Sequence, residues 1–245
     1  MNTADTLNST DFVTLKGKAA PQGENHLSGV SLDTDITRLP EKESVPYFYR
    51  TAKRMFDITL AFFGIAFSSP LWAIFAALIK LESPGPIFYH KVCYTSGGRK
   101  FKQWKFRSMV DNAEKHTGMV LATVNDERIT KIGWFLRKTA MDELPQLINI
   151  LLGEMSFVGP RPQRVKLVDE KYVPDMPNYH DRHLVRPGLT GIAQVYGRYD
   201  TDPRNKLRYD LVYVKKYNML LDLQLLFMSF WITMRAKWQV RGKNR

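Results

Sequence analysis

Asp142 and Glu143 are adjacent carboxylates followed by Leu144-Pro145-Gln146, and Arg161 stands between Pro160 and Pro162 shortly afterwards. A carboxylate is already deprotonated at neutral pH, so it can attack an electrophilic centre or hold a cation without an activating base. An arginine fixed between two prolines after Gly159 presents its planar fork rigidly, a form suited to phosphate or carboxylate oxygens. Each group also has a bland explanation. Proline is tolerated only in the first turn of a helix, so Pro145 starts the helix near Asp142; there Asp142 would cap the helix and Glu143 would complement its dipole. Arg161 would be a turn residue contacting a helix end.

The elements that must position these groups are legible from periodicity. Leu144, Leu147, Ile148, Leu151 and Leu152 recur at helical spacing and stop at Gly153, which predicts a helix of about ten residues. Asp126 to Lys138 is predicted helical as well, with Ile129, Ile132, Phe135 and Leu136 on one face. Alternation of aromatic and polar residues on either side of Thr95-Ser96-Gly97-Gly98 predicts a β-hairpin. A second Gly/Pro-punctuated turn, Arg186-Pro187-Gly188-Leu189-Thr190-Gly191, follows.

Residues 56–79 form a largely apolar run in which Asp57 is the only charge. One straight helix of that length would reach roughly 36 Å, enough to cross a membrane. Ser69-Pro70 at its middle predicts a bend, because proline cannot donate to the carbonyl of Ala66. Both flanks are basic, with Arg50, Lys53 and Arg54 before and Lys80, Lys91, Arg99 and Lys100 after. The positive-inside rule then places both ends on one side, and a bent, re-entrant helix satisfies both constraints. Met219 to Met234 is too short to span comfortably; an interfacial helix before a basic tail and a C-terminal core helix fit it equally well.

Composition narrows the partners. The chain has 245 residues, 36 Lys+Arg against 24 Asp+Glu, a net charge of +12, and one cysteine. A lone Cys93 excludes a disulfide scaffold and a cysteine zinc cluster. Mean hydropathy of −0.30 excludes a polytopic transporter. Residues 1–50 carry five Lys/Arg and seven Asp/Glu, so the remainder carries +14 and favours an anionic partner. A polar stretch without apolar period at 1–46 reads as a disordered tail.

Read in order, Lys53-Arg54 with Phe56-Asp57, Ser69-Pro70, Ser83-Pro84-Gly85-Pro86, Lys105-Phe106-Arg107-Ser108-Met109, Asp142-Glu143-Leu144-Pro145-Gln146-Leu147, Val158-Gly159-Pro160-Arg161-Pro162 and Pro187-Gly188-Leu189-Thr190-Gly191 resemble the bacterial sugar transferases, monotopic phosphoglycosyl transferases that act on polyprenyl phosphate. The likeness runs from about Tyr49 to Met234 and is closest to the short, catalytic-core form. It implies an α+β, mostly helical monotopic protein: tail 1–46, re-entrant membrane helix 47–82 bent at Ser69 and Pro70, cytosolic catalytic domain 83–218 with the hairpin, and an interfacial helix with basic tail at 219–245. The activity implied is transfer of sugar 1-phosphate from a UDP-sugar to undecaprenyl phosphate, releasing UMP, in exopolysaccharide, capsule or lipopolysaccharide assembly at the cytoplasmic face of the bacterial inner membrane. By the same likeness Asp142 is the covalent nucleophile, Glu143 holds Mg²⁺, Pro160 and Arg161 bind phosphate, and Lys105, Arg107 and Arg137 add positive charge. Phospholipid is a further implied partner, and a homo-oligomer is compatible with it. The sequence departs from the family pattern in the hairpin, where Gln-x-Arg-x-Gly is common and Lys91, Cys93 and Thr95 stand instead, and at Trp134, a frequently basic position.

Two other classes are weighed against this. A nucleic-acid-binding protein would accept the charge, but no helix-turn-helix, RNP or zinc pattern accompanies it, so no nucleic acid is expected. A non-catalytic membrane scaffold would need Asp142 to be only a cap. His180 and His183, with Asp181 and Arg182 between them, read as an exposed segment, and Cys93 as packing.

Overall fold

The computed structural model describes residues 47–111, 113, 126–197 and 201–234. The expected N-terminal tail and the basic residues 235–245 lie outside the described residues. The first element, α1 (Tyr47–Glu82), is one continuous helix of 36 residues that runs through Pro70. Proline there does leave a carbonyl without its usual donor, and the Ser69 hydroxyl donates to Ala66 O at 2.9 Å instead.

Helix α1 has two unlike faces, set by 3.6-residue periodicity. Asp57, Ala61, Phe75 and Ile79 are buried, and Gly64, Ser68 and Trp72, half-buried, continue that stripe. Leu60, Phe63, Phe67, Leu71, Ile74, Leu78 and Leu81 form the opposite stripe and are all exposed. Gly64 sits where a Cβ would come 3.1 Å from Leu147, so the small residue lets the neighbouring helix approach.

The chain leaves α1 through Ser83-Pro84-Gly85-Pro86 into β1 (Phe88–Tyr94), which pairs antiparallel with β2 (Lys100–Phe106). The predicted hairpin is present; Gly97 and Gly98 turn it at φ 72° and 71°, a left-handed region that costs glycine little. Phe75, Ile79, Phe106 and Leu136 form a core between α1, the hairpin and α2 (Lys131–Lys138).

Helix α2 is shorter than its apolar period predicts. Ile129 forms a β-bridge with Met109, which holds its backbone extended, and Thr130 caps the helix by accepting from Gly133 N at 3.0 Å. Glu82, the last residue of α1, accepts from the N–H groups of Lys131 and Ile132 at 2.6 and 2.9 Å and satisfies two more donors of that helix start.

A single turn, Met141–Glu143, leads to α3 (Gln146–Leu151), and Gly153 ends that segment at φ 78°. Strands β3 (Ser156–Val158) and β4 (Gly188–Thr190) pair in parallel, bringing the Val158-Gly159-Pro160 and Pro187-Gly188-Leu189 segments side by side. Contact is close enough that a Cβ on Gly188 would lie 2.0 Å from Gly159 N, so only glycine fits.

After α4 (Ile192–Tyr196), α5 (Pro203–Lys216) packs by Leu207, Leu211, Tyr213 and Val214. In α6 (Met219–Met234) both alternatives are realised in turn: Leu221, Asp222 and Leu225 are buried, whereas Phe227, Phe230, Trp231 and Met234 are exposed. The His180–His183 segment is less exposed than expected. Arg182 and His183 are buried, His183 against Tyr94 with ring centroids 5.2 Å apart.

Candidate active site

Asp142 and Glu143 follow Ala140, which adopts a left-handed backbone (φ 57°) unusual for a residue with a Cβ. That reversal between α2 and the next turn makes the two carboxylates face the hairpin. Asp142 caps nothing: neither the Met141–Glu143 turn nor α3 receives a side-chain cap. The bland explanation of this aspartate therefore fails.

Four charged side chains meet here. Lys105 Nζ, from the end of β2, lies 2.6 Å from Glu143 Oε1 and 3.5 Å from Asp142 Oδ2. Arg161 Nη2 reaches the same Glu143 Oε1 at 2.7 Å. The two carboxylates consequently differ in state. Burial pushes the Asp142 carboxyl up and the Glu143 charge adds to this, against the opposing pull of Lys105, Arg137 and Arg161. Burial would raise Glu143 too, but Arg161 and Lys105 outweigh it and hold that carboxyl well below its ordinary range. Glu143 is a fixed anion, and Asp142 is a buried carboxylate with one long contact.

The other expected cations divide. Arg137, at the end of α2, acts on Asp142 through space. Arg107 does not join the site. It is buried, and its guanidinium donates to the carbonyls of Ile79, Ser83 and Pro84 and to Ser83 Oγ at 2.6–3.2 Å. It caps the carbonyl end of α1, a structural use of a fork that reads in sequence like a phosphate ligand. Pro160 is buried, and its carbonyl accepts from Gly188 N at 2.9 Å, which fixes the turn that carries Arg161.

Arg182 is a supporting residue not anticipated from sequence. It donates to Arg161 O at 2.7 Å and to the Tyr179 hydroxyl, and pairs with Asp210 at 2.7 Å. Its sequence signal is indirect: Asp210 lies on the apolar stripe of α5 between Leu207 and Leu211, where an acid needs a partner. Cys93 is fully buried and packs in the hairpin, as expected.

The site thus pairs an uncapped carboxylate with a carboxylate held by cations, beside a rigid arginine turn. A family profile described as bacterial sugar transferase matches residues 48–236. The chain belongs to the bacterial sugar transferase family. Over 182 residues this bacterial sugar transferase is 42% identical to a UDP-N-acetylgalactosamine-undecaprenyl-phosphate N-acetylgalactosaminephosphotransferase of Aeromonas hydrophila, covering 73% of this chain and 43% of that protein. It is 42% identical over 185 residues to a UDP-glucose:undecaprenyl-phosphate glucose-1-phosphate transferase of Escherichia coli strain K12, covering 74% of this chain and 39% of the relative. An exopolysaccharide production protein PSS of Rhizobium leguminosarum is 40% identical over 182 residues, covering 71% of this chain and 91% of its own length. The match thus spans about two fifths of the first two relatives and most of the third.

Proposed function

We propose that this sugar transferase moves a sugar 1-phosphate from a UDP-sugar to undecaprenyl phosphate, with Asp142 as covalent nucleophile, in polysaccharide assembly at the cytoplasmic face of the inner membrane. The observation that carries the reading is the split state of the two carboxylates. Glu143 is neutralised by Lys105 and Arg161, whereas Asp142 is buried, uncapped and held only by a 3.5 Å contact. A carboxylate that is desolvated and weakly paired is a better nucleophile than one fully hydrogen-bonded. The Asp142 oxygen bonds to the β-phosphorus of the donor as the bond to the bridging oxygen breaks, and the electron pair leaves with UMP. Lys105, Arg137 and Arg161 offset charge on the transferring phosphoryl group. Attack by the polyprenyl phosphate on the aspartyl phosphosugar then releases Asp142.

Glu143 suits Mg²⁺. Both of its bonds fall on Oε1, so Oε2 remains for a cation, and Mg²⁺ is commonly held by one or two carboxylates together with substrate phosphates. When bound, the ion would neutralise phosphate charge.

Helix α1 is read as re-entrant. Its Lys53 and Arg54 bind Val158 O and the carbonyls of Ile150 and Leu151, while Phe75 and Ile79 at its other end pack on Phe106 and Leu136. Both ends are therefore engaged by the same body, which supports a helix that enters and leaves on one side. The exposed apolar stripe of α1, with the exposed end of α6, is left for the membrane.

The test is intact-protein mass spectrometry with a panel of UDP-sugars, Mg²⁺ and no acceptor. A wild-type mass increase of one sugar phosphate, mapped to Asp142 and lost in Asp142→Asn, is expected. An adduct on another residue would overturn the assignment.

A further inference from the structure

Lys91 lies half-buried in β1, and the hairpin register sets it opposite Gln103, two pairs away from Tyr89–Lys105. Side chains alternate along a strand, so Lys91 and Lys105 emerge from the same face of the hairpin as diagonal neighbours. Lys105 from that face grips Glu143. The Lys91 side chain makes neither a hydrogen bond nor an ion pair among the described residues. Beside it, Gln103 donates to Gln146 Oε1 at 2.7 Å, while Gln146 Nε2, fully buried, has no partner. An unpaired cation thus lies across the hairpin from Gln103, whose partner Gln146 keeps an unpaired amide donor, and a buried donor without an acceptor is costly.

Lys91 stands beside Lys105 on the hairpin face but, unlike Lys105, makes no ion pair with Asp142 or Glu143 among the described residues. Burial, reinforced by Lys105 and Arg161, lowers the ammonium to about 8 against the opposing pull of Cys93 and Glu143, and an added anion would hold it protonated.

We propose that Lys91 binds the α-phosphate of the nucleotide, holding the leaving UMP while Asp142 takes the β-phosphoryl group. This rests on the reading of the reaction given above. In-line displacement puts the leaving oxygen opposite the attacking one, so a second cation beside Lys105 that is not paired with Asp142 can meet the charge that develops as the bridging bond breaks. No proton need move: the electron pair departs with UMP, and the ammonium offsets its charge.

The experiment measures UMP binding by calorimetry to the full chain in detergent with Mg²⁺, alongside the KM for the UDP-sugar that gives the wild-type adduct. Lys91→Met should weaken UMP binding and raise the donor KM together, each on the order of tenfold, the scale of one charge-assisted hydrogen bond. Lys91→Arg should recover most of both, and Lys91→Gln, which keeps a polar end one atom shorter and without charge, should behave like Met. The Gln variant decides if the Met variant is poorly folded. UMP affinity within about twofold of wild type in Lys91→Gln, with the wild-type adduct intact, overturns this inference alone. If wild type forms no adduct with any UDP-sugar, the underlying reaction is wrong and this assignment falls with it.

Discussion

Two groups of buried charge in this protein use the same residue types for opposite ends. At the junction of α1 and α6, Asp222 accepts from Tyr49, Lys53 and Tyr213, and Lys53 also donates to Val158 O. Both oxygens of that carboxylate are satisfied and the cation is matched. At Asp142 and Glu143, by contrast, two cations crowd one oxygen of Glu143 and Asp142 keeps a single long contact. The first arrangement is closed, whereas in the second the partners are shared unequally, and that inequality is what the proposed role of Asp142 rests on.

Breaking each centre in turn should give opposite phenotypes. Asp142→Asn should reduce turnover by about 10³-fold or more, measured as UMP release, because the amide is no nucleophile. Its melting temperature should hold or rise, since the substitution removes a desolvated charge. Arg161→Ala should lower kcat/KM by about 10²-fold, and Arg161→Lys should recover only part, because an ammonium lacks the planar fork. Asp222→Ala should do the reverse: it leaves the half-buried Lys53 without its carboxylate and should cost about 3–5 kcal/mol in thermal or denaturant unfolding, with the donor KM of the folded fraction unchanged. Loss of donor affinity in Asp222→Ala at full stability would erase the distinction.

pH sharpens the same contrast. The Asp142 pKa is raised, so its carboxylate form is present only above an elevated value, and adduct formation should fall about tenfold per unit as pH drops below it, at a pH above the ordinary aspartate value of 3.8. For stability the sign is opposite: a raised carboxyl contributes most below the unfolded pKa and loses that contribution as pH rises through the folded one. Glu143 behaves inversely, contributing above its ordinary 4.5 and losing that contribution only as pH falls through its depressed value. An acid limb at or below the ordinary aspartate value would contradict the burial of Asp142. The smallest effect belongs to Arg107: Arg107→Met should destabilise the end of α1 yet leave donor KM within about twofold, since its fork faces carbonyls and no ligand.

The hairpin and the helical character of 144–153 were legible because both depend on local periodicity and on glycines at fixed offsets. The Ser69 bond to the carbonyl that Pro70 leaves open was legible for the same reason, as it reaches only three residues back. The candidate pair Asp142–Glu143 and the turn bearing Arg161 were visible as types and spacing. Their electrostatic roles were not. Lys105, Arg107 and Arg161 are all basic residues next to Phe or Pro, yet two meet the carboxylates and one caps a helix 20 to 30 residues upstream.

Sequence by itself determines which residues share a strand face or a helix stripe, because side-chain direction follows backbone period over a few residues. Hence the hairpin with its neighbouring lysines and the two-faced α1 belong to it. Only tertiary structure decides which charges pair, because Coulomb energy depends on distances of a few ångströms between segments tens of residues apart. The Ala140 reversal and the Arg182–Asp210 anchor beneath Arg161 leave Glu143 neutralised and Asp142 free, and both exist only in the packed chain.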